Sequence, residues 1–329
     1  MGDLLARRRK ETISRLEEMR GRLAAAEKLV AGKACVYATG SFGRGEASRF
    51  SDLDLFIVGR SEQVAGKRLL SRLDEICVKA DLVEVTRALE IPEFSGDGEY
   101  LEHYTVDELV KALGTAEDDS SNAFTARLLL LLESQPLVGA ENYRSLTSEV
   151  IAAYWRDFAS HKNEFMPAYL ANDILRLWRT FCVNYEARTA SDPPIKKAKR
   201  KLKNYKLKHS RLLTCYSALL YLLATHCRNN TVRPEDAVAM IQLTPTGRLE
   251  WLAEQEGLPA VRELIATILD SYERFLLQTE MSEAELIDQF MDREFARKFM
   301  TSAPEFGDLI YSLLLKIGDN GRFFRLLVV

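Results

Sequence analysis

The stretch "YATGSFGRGEASRFSDLDLFIVG", residues 37–59, decides the reading of this chain. It places Asp52 and Asp54 on either side of Leu53, in what reads as a buried strand "DLDLFIV" (52–58) after a glycine-rich turn. Residues two apart on a strand point to the same face, so the carboxylates project together while Leu53 and Leu55 pack behind. Two like charges about 4 Å apart repel by roughly 4 kcal/mol at an effective dielectric near 20. A divalent cation removes that conflict, and Mg²⁺ prefers a few carboxylates plus phosphate oxygens. Gly40 and Ser41 follow a strand and open into a helical turn, where free backbone N–H groups would cradle phosphate. The plainer alternative for the glycines is a tight turn and nothing more.

Working outward, "ACVYAT" (34–39) reads as a first strand, 61–76 as a helix and "ADLVEVT" (80–86) as a third strand. Residues 3–30 have the apolar spacing of an amphipathic helix, and "IPEFSGDGEY" (91–100) ends the unit. Beyond residue 100 the pattern turns helical, and strand-like character returns only in the tail "FFRLLVV". "GTAEDDSSN" near 115–120 has a linker's composition. The expected architecture is α+β: an N-terminal amphipathic helix (1–34), a small mixed-sheet core (35–118) and a larger all-helical domain (119–329).

Composition agrees with two soluble domains. The chain has 329 residues, 47% hydrophobic and 28% charged, with a net charge of −3. No global basicity marks it as nucleic-acid binding, so any such site would be a local patch. Five cysteines without a C-x-x-C pair suggest reduced thiols and a cytoplasmic location. The charged N-terminus lacks a secretory core, and "LLTCYSALLYLLATHC" (212–227) is too short and too polar to span a membrane. It reads as a core helix.

The string "GSFGRGEASRFSDLDL" resembles the signature of the DNA polymerase beta-type nucleotidyltransferase superfamily, and is most similar to protein-PII uridylyltransferase-like bacterial nucleotidyltransferases. "RLLLLLESQPLVGAENY" (127–143) is similar to the segment that follows the catalytic module in that group. The resemblance implies that Gly40 and Ser41 hold an NTP's triphosphate, with Arg44 assisting. It implies that Asp52 and Asp54 bind two Mg²⁺ ions, with Mn²⁺ as an alternative. A third carboxylate is expected on a neighbouring strand; Asp81 fits that pattern better than Glu84. The implied reaction is in-line attack of an acceptor hydroxyl on the α-phosphorus, with release of pyrophosphate. The acceptor would be a protein, an RNA or a small molecule.

"KKAKRKLKNYKLKHSR" (196–211) is either a solvated basic stretch or a contact for polyphosphate or nucleic acid. Lys208 and Arg211, three apart beside the apolar helix that follows, are the expected nucleotide contacts, whereas 196–203 reads as loose chain. Asn172, Arg176 and Arg179 share a helical face that either contacts a nucleotide or pairs across helices. Two rival readings stand beside the transferase: a cyclic oligonucleotide synthase of bacterial immunity, and a catalytically silent regulator on the same fold. The intact Gly40-Ser41 and Asp52/Asp54 set argues against the silent module.

Overall fold

A computed structural model describes residues 3–62, 66–92, 101–186, 193–255, 259–318 and 321–328, apart from the side chains of residues 119, 184–186 and 259–260. The chain divides into two compact units, Leu5–Arg156 and Asp157–Val329, the latter together with Met1–Leu4.

In the first unit, α1 (Asp3–Arg22) and α2 (Ala24–Val30) lead into β1 (Ala34–Ala38). Then come the short α3 (Gly40–Gly43), β2 (Leu55–Gly59), α4 (Arg72–Ala88) and β3 (His103–Thr105). α5 (Val106–Lys111), α6 (Glu117–Ser120), α7 (Ala123–Leu132), β4 (Gln135–Val138) and α8 (Ala140–Tyr154) complete it. The strands form one mixed sheet in the order β3-β2-β1-β4, with β2 and β3 parallel and the other pairs antiparallel. One sheet face, with Val36, Ala38, Leu55 and Ile57, packs into a core with Leu16, Met19, Leu23, Val78 and Leu82. The opposite face carries a row of rings, Tyr104–Phe56–Tyr37–Tyr143, with centroids 6.3, 5.7 and 6.2 Å apart.

Four expectations need correction. Residues 80–86 are not a strand but the second half of α4. Val83, Val85 and Thr86 favour strands locally. The helix wins because Ser71 caps it by accepting from the Asp74 N–H, and because Val78, Leu82 and Val85 bury one helical stripe. The helix expected over 61–76 therefore starts only at Arg72; residues 63–65 and 93–100 lie outside the described residues. The second strand begins at Leu55, so Asp52 and Asp54 sit in the segment that leads into it. The tail is the helix α17 (Arg322–Val328) rather than a strand, with Phe323, Phe324 and Leu327 buried.

The linker-like segment near 115–120 is also part of the first unit. Asp118 is fully buried and receives both forks of the equally buried Arg127, at 2.7 and 2.8 Å. Arg127 also donates to Tyr154 Oη at 2.9 Å. β4 then pairs with β1, so the first compact unit runs on to Arg156.

The second unit is helical among its described residues. It contains α9 (Ala168–Glu186), α10 (Pro194–Lys206), α11 (Leu212–Asn229), α12 (Pro234–Gln242) and α13 (Pro245–Glu254). α14 (Pro259–Gln278), α15 (Glu283–Met291), α16 (Arg293–Gly318) and α17 follow. The basic residues 196–203 lie within α10, whose apolar side buries Ala198, Leu202 and Tyr205. A π-helical turn, Leu207–Arg211, joins α10 to α11. The core-helix reading of 212–227 holds: α11 is buried along most of its length, and no described helix is long and apolar enough to cross a membrane.

Within that turn His209 lies between the rings of Phe275 and Phe306, at 4.5 and 5.1 Å. Burial pushes its imidazole down to about 4, against a raising effect from the Tyr205 carbonyl. Between pH ~6.5 and that value the unfolded chain binds a proton that the folded chain refuses. Stability must therefore rise with pH across this window. Urea midpoints measured at pH 7 and about 4.5 should fall with acid in the parent, and His209→Phe should remove up to about 3 kcal/mol of that dependence. Equal pH slopes in parent and variant would show that the ring is not kept neutral.

Candidate active site

The site is built around the turn between β1 and α3. Gly40 has a φ of +63°, and a Cβ there would lie 2.7 Å from Asp54 Oδ2. Glycine is thus required both by backbone conformation and by the approach of the carboxylate. The Thr39 N–H donates to the Asp54 carbonyl at 2.8 Å, extending the β1–β2 pairing by one step. That contact fixes Asp54 beside the turn. Asp52 and Asp54 are both half-exposed while Leu53 between them is buried, so the two charges face outward and the leucine anchors them.

Glu133, at the end of α7, holds the turn from beneath. Its side chain is wholly buried, accepts from the Gly40 N–H at 3.3 Å and pairs with Arg44 at 3.1 Å. Arg44 also binds Glu46 at 2.5 Å and is itself buried. The guanidinium expected to assist a triphosphate is therefore enclosed by two carboxylates, a geometry that braces the turn. Three residues of α1 hold the next stretch: Arg8 donates to the Glu46 carbonyl, the Ala47 N–H donates to Thr12, and Arg15 donates to the Ser48 carbonyl. Arg15 also lies over the Phe42 ring at 4.8 Å. Ser41 is half-buried in the first turn of α3.

Asp81 and Glu84 lie on α4, not on a strand beside β2, so the basis for expecting a third carboxylate there is gone. The strand beside β2 is β3. Ile57 pairs with His103, and the Ile57 N–H reaches the Glu102 carbonyl at 3.4 Å. Glu102 therefore lies opposite Phe56, and alternation puts Glu102, Tyr104, Phe56 and Asp54 on one face. Glu102 is exposed and accepts a hydrogen bond from Tyr104 Oη at 2.8 Å. Burial, with Glu102 adding to it, pushes the Tyr104 phenol up, so Tyr104 stays a donor to that carboxylate. In the sequence Glu102 sits in a stretch, 101–105, too short for alternation to mark a strand. It lies just past the Pro- and Gly-containing stretch that closes the unit in a sequence reading.

Lys208 and Arg211 fall in the second unit, in the π-helical turn. Lys208 is half-exposed, whereas Arg211 packs its guanidinium over the Phe181 ring at 5.4 Å.

Residues 16–110 match the nucleotidyltransferase domain family. No curated protein and no solved structure gives a significant match. The matched segment contains the glycine turn, both aspartates and Glu102, and the mixed sheet with a helical remainder is consistent with a nucleotidyltransferase core followed by a helical domain. Nucleotidyl transfer is the reaction class that the match supports. Among the described residues no cluster of three His, Cys, Asp or Glu side chains is positioned to hold a metal ion. Beside the turn stands a pair of half-exposed carboxylates, Asp52 and Asp54. Such a set fits a hard cation that completes its shell with substrate phosphate oxygens.

Proposed function

We propose that the chain is a divalent-metal-dependent nucleotidyltransferase that moves a nucleoside monophosphate from an NTP to an acceptor hydroxyl, releasing pyrophosphate. The observation that supports this best is the packing of the Asp54 carboxylate against Gly40, a position where any side chain would collide with it. A chain with no use for that carboxylate gains nothing by keeping the space clear for it. Asp52 and Asp54 would hold Mg²⁺ or Mn²⁺, which when bound offsets charge on the attacking and leaving oxygens. Ser41, in the first turn of α3, would orient the triphosphate. Arg44 and Glu133 act as positioning residues, fixing the turn from below. Glu102 replaces Asp81 as the third carboxylate and is suited to take the acceptor's proton.

Incubation with each α-labelled NTP and Mg²⁺, alone and with candidate acceptors, tests this reading. Label transfer with equimolar pyrophosphate is expected, and chelation should stop it. Product from protein and NTP alone would shift the reading to cyclisation or self-modification. Glu102→Gln should lower kcat by about 10²-fold, near 2.7 kcal/mol of barrier. Asp81→Asn should leave kcat within about twofold, since Asp81 lies on α4 and not on a strand beside β2. Loss in the Asp81 variant alone would return the third carboxylate to α4.

A further inference from the structure

α17 packs on α9, and residues of the two helices line a cleft of about 1060 Å³ in the second unit. Arg176 and Arg179 face it from α9, and Arg322 and Arg325 face it from α17. Residues three apart share a helix face, so the cleft has two arginine pairs, one from each helix. Its apolar lining includes Leu175, Val183 and Leu326. No carboxylate is among the described lining residues. Asp173 approaches Arg176 at 3.5 Å, while no ion pair engages Arg179, Arg322 or Arg325 among the described residues.

Arg179, Arg322 and Arg325 gather three like charges in one cleft, beside an Arg176 that Asp173 offsets, and an anion relieves their repulsion. Guanidinium forks match phosphate oxygens, and two separated pairs match two successive phosphates better than one compact group. The cleft also reaches the upper end of the 300–1,000 Å³ or so typical of small-ligand pockets, which leaves room for more than a mononucleotide. Arginine planes stack on unpaired bases, and an aliphatic lining suits sugar and base faces. In a chain of net charge −3 this basicity is local, as a nucleic-acid footprint is.

We propose that the α9–α17 cleft binds single-stranded RNA. Its role as the acceptor for nucleotidyl transfer rests on the function proposed above; the binding does not.

The test is fluorescence anisotropy of the full chain with a 5′-labelled single-stranded RNA of about eight nucleotides, across a series of KCl concentrations. Arg179→Ala/Arg325→Ala should weaken binding at least tenfold. It should also reduce the slope of log K against log salt by about 1.4, the value for two lost single-strand phosphate contacts. All but one of the cleft arginines are exposed, so melting temperature should not change, and Arg179→Lys/Arg325→Lys should restore the slope. Asp52→Asn should bind RNA as the parent does, which separates failure of the cleft from failure of the catalytic reading. Unchanged affinity and slope in the alanine variant would overturn the proposal. So would loss only in Lys196→Ala/Lys197→Ala, or an arginine-dependent affinity for anionic vesicles with none for RNA.

Discussion

Asp52→Asn and Asp54→Asn should each lower nucleotidyl transfer by about 10³-fold or more, while melting temperature stays within a few degrees of the parent. The two carboxylates are half-exposed on either side of the buried Leu53, so neither is needed to fill the core. Replacing one by its amide keeps the shape and removes a repelling charge, which favours the fold slightly. For the reaction the same change removes a charged oxygen from a two-carboxylate set. A loss of about 4 kcal/mol of transition-state stabilisation corresponds to that thousandfold drop. Turnover of α-labelled NTP with Mg²⁺ and Mn²⁺, alongside circular dichroism melts, gives both readouts. Near-parental turnover in both variants would remove the catalytic reading.

Glu133→Ala should have the largest effect on stability, about 3 kcal/mol, and should disable the site at the same time. Breaking a buried pair by removing one partner leaves the other charge uncompensated. Arg44 keeps Glu46 at 2.5 Å, which holds the cost at the lower end of the range for such pairs. The Gly40 N–H also loses its acceptor, so the turn beside Asp54 loosens. Urea unfolding of parent, Glu133→Ala and the triple variant Arg44→Leu/Glu46→Leu/Glu133→Leu measures this. The triple variant should recover part of the loss, because apolar replacement of a whole buried network is tolerated better than removal of one member. A Glu133→Ala protein as stable as the parent would show that the network does not brace the turn.

The sequence made the centre of the site legible and its surroundings poorly so. Gly40, Ser41, Asp52 and Asp54 stand out because a turn and a charge pair within one apolar run conflict with ordinary core building. Asp81 misled because β-branched residues at 83, 85 and 86 imitate a strand, while the Ser71 cap and the stripe Val78, Leu82, Val85 are recognised only once the helix is laid out. Glu102 was hidden by the brevity of β3, three residues, too short for alternation to register. Glu133 was beyond reach for another reason: its partners, Gly40 and Arg44, lie 93 and 89 residues away in the chain. Asp118 was missed on composition: its polar neighbours imitate a linker, while Arg127, nine residues on, makes it core.

The three hydrogen bonds from α1 to residues 46–48 bear on how portable this catalytic unit is. Arg8, Thr12 and Arg15 all precede the segment that matches the nucleotidyltransferase domain, and Glu133 and β4 follow it. The segment 16–110 carries the aspartate pair and the glycine turn without the parts that hold them still. In chimeras or minimal enzymes the exchangeable cassette is accordingly the compact unit 5–156, and a graft cut at the edges of the matched segment would transplant the carboxylates without their rigidity.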